Sequence, residues 1–369
     1  MVACGPADGG RVEESIRGGL SMDRTVYSGA EGFVVNYKTP WEPLLFNELQ
    51  GRLKGPKLLE RGNDAAAFSL SGFEAVAEEI HREDFVFLQH IHPYMFMGEI
   101  KGEASDFPIF LNMLEKAAGY VDKEDVVVCQ CRIVAKRMLS YTNGELTSEL
   151  SAFLEREEYK VSAQKADTVV SLTVFDRFAY MGVSRAEDNV SRRAGGVLFY
   201  SESEDMICRA EFKIEEAFEV FGIQVREGMK ALDLGAAPGG WTHYLNKKGI
   251  RVDAVDPAAL DDALLEQPNV RHYRMTAQEF ARIHGEDTYD LIVNDMKMDT
   301  NQSMDILCEM SRLLEKNGEC LMTLKLPKEG VQKRINVVRK VLGERFGTVR
   351  IRQLYYNRSE ATVYVKNKL

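Results

Sequence analysis

Residues 230–249, KALDLGAAPGGWTHYLNKKG, constrain the fold more than any other stretch of the chain. An apolar run of strand character ends at Gly235, a turn of small residues follows, and a helical pattern begins directly after it. A strand that feeds a helix through so short a turn is the first half of a β-α-β unit, in which the helix crosses back over a sheet. From about Met206 to the end the alternation recurs, with strand-like runs at KALDLGA, RVDAVDP, YDLIVNDM, ECLMTLK, TVRIRQLYY and ATVYVKN. The expectation is a Rossmann-like α/β domain on a largely parallel sheet. Only NRSE separates the last two runs, too little for a helix, so they should close the sheet as an antiparallel hairpin.

The text before Met206 reads differently. Residues 1–28 look like a loose tail. Over 29–110, short strand-like runs (GFVVNYK, AAAFSLS, DFVFLQHI) alternate with helical ones (PWEPLLFNELQGRL, GFEAVAEEIHR), as in a small α+β unit. A second α+β unit spans 111–205, with the helix-like FPIFLNMLEKAAGY at its border. It holds the strand DVVVCQCRIVA, the helix LTSELSAFLEREEYK, for which Thr147 is the expected N-cap with Glu149 in the first turn, and a strand pair turning at Asp176 and Arg177. Neither unit contains a catalytic cluster, so both read as binding or positioning modules.

Composition narrows the class. Of 369 residues 45% are hydrophobic and 28% charged, the balance of a soluble globular chain. No apolar run approaches the roughly 18–20 residues of a membrane span, and MVACGPADGG has no basic region followed by an apolar core, so a cytoplasmic chain is expected. Six scattered cysteines fit a reducing compartment. Cys129 and Cys131 share one face of a strand without two further ligands nearby, and His90 and His92 in HIHPY lack a third, so no metal site is expected. The net charge of −10 is uneven: residues 325–369 carry 12 basic side chains against Glu329, Glu344 and Glu360, leaving −19 on the rest. A basic end on an acidic body can steer a polyanion to one face.

The glycine turn excludes two familiar ligands. No Lys-Ser/Thr follows it, so it is not a triphosphate loop, and Ala236 and Ala237 stand where a dinucleotide fingerprint needs its second glycine. Gly239 and Gly240 would let a ligand approach the backbone, and Asp256, closing the next strand, can accept both hydroxyls of a ribose. A nucleoside without a phosphate requirement, such as S-adenosylmethionine, fits; a strand-turn-helix with merely structural glycines is the alternative.

Other strand ends place polar groups on the same rim. LIVNDMK delivers Asp295, LMTLKLPK delivers Lys325, and NRSEATVYV delivers Glu360. Ahead of the sheet, CRAEFKIEEAFEVFG forms a helix with Ile207, Ala210, Ile214, Ala217 and Phe221 along one face, and Lys213 flanks that stripe about 40° away at 3.6 residues per turn.

With these residues together, the chain resembles the FtsJ/RrmJ-type ribose 2′-O-methyltransferases over roughly residues 206–369. Lys213 in RAEFK, LDLGAAPGGWT, Asp295 in NDM, Lys325 in LKLP and Glu360 in RSEATVYV are similar to that family's Lys-Asp-Lys-Glu tetrad and cofactor loop. FAYMGVS, SRRAGGVLFY and CRAEFKIEEAFEVFGI are similar to the members that methylate a cytidine ribose in 23S rRNA and carry ferredoxin-like and THUMP RNA-binding modules. The resemblance implies a class I methyltransferase sheet over 206–369, a ferredoxin-like module over 29–110 and a THUMP-like one over 111–205. It implies S-adenosyl-L-methionine as cofactor, held by Asp233, Gly235, Ala236, Pro238, Gly239, Gly240, Trp241, Asp256, Thr276 and Asp295, and RNA as partner. The family usually has an acidic or amide residue after the third strand to meet adenine; here the text is VRHYRMTAQEFA, where Thr276 and Gln278 are the substitutes. For Trp241, packing of its own helix competes with stacking on a ligand.

The implied chemistry suits these residue types. A ribose hydroxyl is a weak nucleophile, and a lysine serves as its base only if burial or a second cation lowers its pKa from about 10.4 towards 7–8. Lys325 is the candidate base, Asp295 its orienter, Lys213 the second cation or a hold on the target, and Glu360 the group fixing lysine geometry. A small-molecule methyltransferase and a non-catalytic RNA-binding protein are the competing readings. A monomer is expected, since no apolar segment is left without an intramolecular use.

Overall fold

The computed structural model describes residues 24–82, 84–162, 166–191, 193–197, 200–201 and 203–369, so most of the expected tail lies outside the described residues. Its last part does not. Arg24–Tyr27 is a 3₁₀ turn; the buried Tyr27 donates its hydroxyl to Asp188 and accepts the Arg185 amide at 3.1 Å, which makes residues 24–28 part of the folded body.

Among the described residues three sheets follow one another. The first is a β-α-β-β-α-β unit: β1 (Gly32–Asn36), α1 (Glu42–Arg52), β2 (Lys57–Arg61), β3 (Ala65–Ser69), α2 (Glu74–Arg82) and β4 (His90–Tyr94), in spatial order β2-β3-β1-β4 with antiparallel pairing throughout. This is the ferredoxin-like order. The run DFVFLQHI, expected as a strand from Asp84, joins the sheet only at His90. Its earlier backbone is committed elsewhere: the Val86 and Phe87 amides donate to Glu48, and the Val86 carbonyl accepts from Gln353 at 2.7 Å, across to the C-terminal domain.

The second sheet takes β5 (Phe96–Glu99), β6 (Val126–Ile133), β7 (Lys160–Val161), β8 (Thr168–Val174) and β9 (Phe178–Arg185) in the order β5-β9-β8-β6-β7, backed by α3 (Phe107–Ala118) and α4 (Asn143–Arg156). Sheet membership thus changes at Met95, ahead of the expected border at 110. The α4 cap also differs from expectation. Thr142, not Thr147, accepts the Glu145 amide while Glu145 reaches back to the Thr142 amide; Thr147 lies inside the helix and bonds the Asn143 carbonyl at 2.9 Å. The helix starts earlier because Thr142 and Glu145 complete that reciprocal cap. Cys129 and Cys131 are buried in β6, and burial pushes the Cys129 thiol up to about 11. His90 and His92 are buried in β4, where burial lowers the His92 pKa to about 4.

The third unit opens with α5 (Ala210–Phe221) and runs through β10 (Lys230–Leu234), α6 (Gly240–Lys247), β11 (Arg251–Val255), α7 (Asp262–Leu265), β12 (Val270–Tyr273), α8 (Ala277–Ile283), β13 (Tyr289–Asn294), α9 (Thr300–Met310), β14 (Leu314–Lys325), α10 (Val331–Gly343), β15 (Phe346–Arg352) and β16 (Glu360–Lys368). The sheet order is β12-β11-β10-β13-β14-β16-β15. Its first five strands are parallel, while β16 enters antiparallel between β14 and β15. This is a Rossmann-like doubly wound sheet with the expected antiparallel end. The order reverses between β10 and β13, and a ligand crevice belongs outside the C-terminal strand ends at such a point.

The first and third units share a polar seam. Arg350 grips Asp84 with two bonds (2.7 and 3.0 Å), and the buried Arg352 donates to the Leu88 carbonyl at 2.7 Å. Part of the basic excess of the last 45 residues is therefore turned inward.

Candidate active site

A cleft of about 610 Å³ lies at the order reversal, within the roughly 300–1,000 Å³ of small-molecule sites. The ends of β10, β11 and β13 and the start of α8 form its walls. Asp233, Gly235, Ala236, Pro238, Gly240, Trp241, Asp256, Thr276 and Asp295 all line it, as do Gln278, Met296 and Lys297. Gly239 does not.

The glycines of the turn allow close packing within the protein. Gly239 has φ +121°, and a Cβ there would stand 2.1 Å from Leu264; a Cβ on Gly240 would stand 2.5 Å from the Cys208 sulfur. These positions let α7 and the approach to α5 close over the turn, while Gly240 also lines the cleft. At Gly235, with φ +74°, a Cβ would strike Met296 at 2.4 Å. No sequence pattern singles out Met296, which the turn after β13 brings to the cleft.

Asp256 is fixed by its own loop, accepting the Ala237 amide at 3.1 Å and the Ala258 amide at 2.8 Å, with lone pairs left for hydroxyl donors. Asp233 is buried and accepts the Thr242 hydroxyl at 2.6 Å; burial first, then the nearby charges of Asp295 and Asp256, push its carboxyl up to about 7. Trp241 is 4% exposed and donates its indole N–H to the Ala210 carbonyl at 2.9 Å, as a packing residue does. Thr276 spends its hydroxyl on the α8 cap with Glu279, leaving Gln278 the polar side chain at that end of the cleft.

Three carboxyl groups against one lysine line this space, an acceptor-rich lining that suits a cationic ligand with hydroxyls and disfavours a phosphate. S-adenosyl-L-methionine, with a sulfonium, an ammonium and a ribose diol, fits it.

Beside the cleft the four separated polar residues converge. Lys213 lies 3.4 Å from Asp295 Oδ2 and pairs with Glu360 Oε1; Lys325 pairs with Glu360 Oε2 and lies 3.8 Å from Asp295 Oδ1. Thr323, two residues before Lys325 on the same face of β14, donates to Asp295 Oδ1 at 2.6 Å. Lys325 and Glu360 are direct partners in the β14–β16 register. The result is a neutral ring of alternating charge with Glu360 between the lysines. Burial opposes the Lys213 charge, but Asp295 and Glu360 outweigh it and hold its pKa above the ordinary lysine value. Burial likewise opposes ionisation of Glu360, and the two lysines outweigh it, holding its pKa below the usual range. Glu360 thus stands between the two lysine nitrogens, and Asp295 lies beside both.

A doubly wound sheet with this cleft and ring defines a Rossmann-like methyltransferase domain. Residues 206–364 match the FtsJ-like methyltransferase family model, and the chain carries an FtsJ-like methyltransferase domain over that span. The curated proteins it resembles are called ribosomal RNA large subunit methyltransferase M. That of Shewanella denitrificans is 31% identical over 202 residues, covering 51% of this chain and 53% of its own. That of Pseudoalteromonas translucida is 27% identical over 245 residues, covering 62% and 66%. That of Aeromonas salmonicida is 34% identical over 177 residues, covering 44% and 48%. The matched stretch thus spans about half to two thirds of these relatives. Among solved structures, TrmN from Thermus thermophilus aligns with 92% of this chain and 99% of its own at 15% identity and a TM-score of 0.37.

Proposed function

We propose that the chain is an S-adenosyl-L-methionine-dependent RNA ribose 2′-O-methyltransferase acting on 23S rRNA, as a monomer in the cytoplasm. The observation that carries this reading is the ring of Lys213, Asp295, Lys325 and Glu360 at the mouth of a cleft built for a cationic nucleoside. Support for an RNA substrate comes from the names of the relatives and from two α+β modules, ferredoxin-like and THUMP-like, that hold no catalytic cluster among the described residues.

When bound, S-adenosyl-L-methionine supplies a methyl group on a sulfonium whose sulfur keeps the bonding electron pair as the methyl leaves. The chain's residues do the rest. Lys325, at 34% side-chain exposure the more open of the two lysines, first gives its ammonium proton to solvent and then, as the neutral amine, takes the proton of the 2′-hydroxyl as its oxygen attacks. Asp295, anchored by Thr323, orients Lys325 and faces the cleft. Lys213, kept charged by its carboxylates, holds the target oxygen, and Glu360 fixes the spacing of both lysine nitrogens. Alignment of hydroxyl and methyl supplies the remainder of the acceleration.

Incubation with methyl-labelled cofactor and total RNA from cells lacking the gene, followed by nuclease mapping, tests the reading. Label in a single large-subunit ribose, with activity falling steeply as salt rises, is the expected result. Label only in small molecules, or RNA binding without transfer across that RNA pool, would overturn it.

A further inference from the structure

The loop before Glu360, residues 353–359, is held less by itself than by its neighbours. Glu216, one helical turn beyond Lys213 on α5, accepts the Tyr355 amide at 2.6 Å and the Tyr356 amide at 2.8 Å. From the first α+β unit, Lys38 donates its ammonium to the Tyr355 carbonyl and, at 2.5 Å, to the Asn357 carbonyl. Gln89 of the same unit donates to both the carbonyl and the side chain of Gln353. Gln353 and Asn357 are fully buried, so a carbonyl released here would lose a partner that water does not readily replace.

We propose that Lys38 is a positioning residue for the tetrad: by gripping the Tyr355 and Asn357 carbonyls it fixes the loop that sets Glu360 between Lys213 and Lys325. The first unit thereby completes the active site of the third. Lys38 touches none of the four, yet the path is short: Asn357 is three residues from Glu360, and its side chain accepts the Thr362 hydroxyl at 3.1 Å beyond it. The ammonium is half-buried and aimed at carbonyls, an arrangement for holding backbone rather than for meeting a phosphate in solvent. Burial pulls its pKa below the ordinary lysine value, against the opposing charges of Glu216 and Asp64.

This inference rests on the proposed methyl transfer for its kinetic test and on the backbone alone for its other. Full-length Lys38→Met and Lys38→Arg are compared with wild type; Lys38→Gln, which reaches one carbonyl at most, serves if the Met variant does not fold. Hydrogen exchange in the peptide covering 353–361 should quicken about tenfold in Lys38→Met, return in Lys38→Arg, and leave β13 peptides unchanged. The rate of methyl transfer should fall about 10- to 100-fold, with KM for RNA and cofactor affinity within about twofold, and Lys38→Arg should restore it. Unchanged exchange refutes the clamp, and faster exchange with an unchanged kcat refutes the positioning role. A raised KM for RNA at constant kcat would assign Lys38 to RNA binding and overturn it too. If wild type transfers no methyl, the proposed function fails, while the exchange comparison still judges the clamp.

Discussion

Asp233→Asn puts the electrostatics of the cleft to the sharpest test. The carboxyl lies beneath the glycine turn, 1% exposed, with the Thr242 hydroxyl as its hydrogen-bond donor. Burial and the charges of Asp295 and Asp256 raise its pKa from 3.8 to about 7. A group that binds its proton more tightly when folded contributes stability that is present below its unfolded pKa and lost as pH rises through the folded one. Asp233 should therefore cost the domain stability progressively between about pH 4 and pH 7. Some three units at about 1.4 kcal/mol each set a ceiling of about 4 kcal/mol at pH 8, which relaxation and water entry reduce to about 2–4 kcal/mol. The asparagine keeps the shape and never ionises, so its stability relative to wild type should rise by that amount between pH 4 and pH 8. Urea unfolding followed by Trp241 fluorescence reads the difference, in a Trp41→Phe background because the chain has only these two tryptophans. A difference that stays flat with pH, or grows towards acid, would falsify the account of a strained, partly protonated carboxyl under the cleft.

Other perturbations probe the remaining links. Lys325→Ala should reduce methyl transfer by about 10²- to 10⁴-fold, as loss of a general base does, with cofactor affinity by calorimetry nearly unchanged. Gly239→Ala, placed at φ +121° with its Cβ against Leu264, should destabilise the domain by about 1–3 kcal/mol, read as a lower urea midpoint. Asp84→Asn should cost about 3–5 kcal/mol at pH 7, because it leaves the buried Arg352 and its neighbour Arg350 without their anion. Although burial opposes its charge, Arg350, Arg352 and Arg339 together hold the Asp84 pKa below the usual 3.8. That stability is present above pH 3.8 and lost as pH falls through the depressed value, so the Asp84→Asn penalty should shrink in acid.

What the sequence made legible was whatever depends on short-range pattern. Gly235, Asp295, Lys325 and Glu360 could be placed at strand ends because each follows or opens an apolar run whose period is read locally. That the four polar side chains meet depends instead on β16 entering between β14 and β15, which pairs Lys325 with Glu360 directly. Strand order is set by long-range packing, and only the family resemblance supplied it in advance. The same limit explains residues 84–89, whose apolar text is that of a strand; their backbone partners, Glu48, Gln353 and Arg352, lie far away in sequence. Thr276 shows the converse: its residue type suits a ligand role, but its hydroxyl is engaged in a reciprocal cap with Glu279, three residues on. The basic C-terminal segment carried the largest ambiguity, since a charge count gives no direction. Arg350 and Arg352 spend their charge on Asp84 and the Leu88 carbonyl, while Lys325 spends its charge on the ring. A polyanion must therefore be steered by those cations that face solvent, such as Lys328, Lys333 and Arg358, which flank the ring along the chain on either side. Salt dependence should follow the exposed set alone, so neutralising Lys328, Lys333 and Arg358 together should flatten the salt slope of RNA binding by about three units, roughly one per lost phosphate contact, without lowering the urea midpoint.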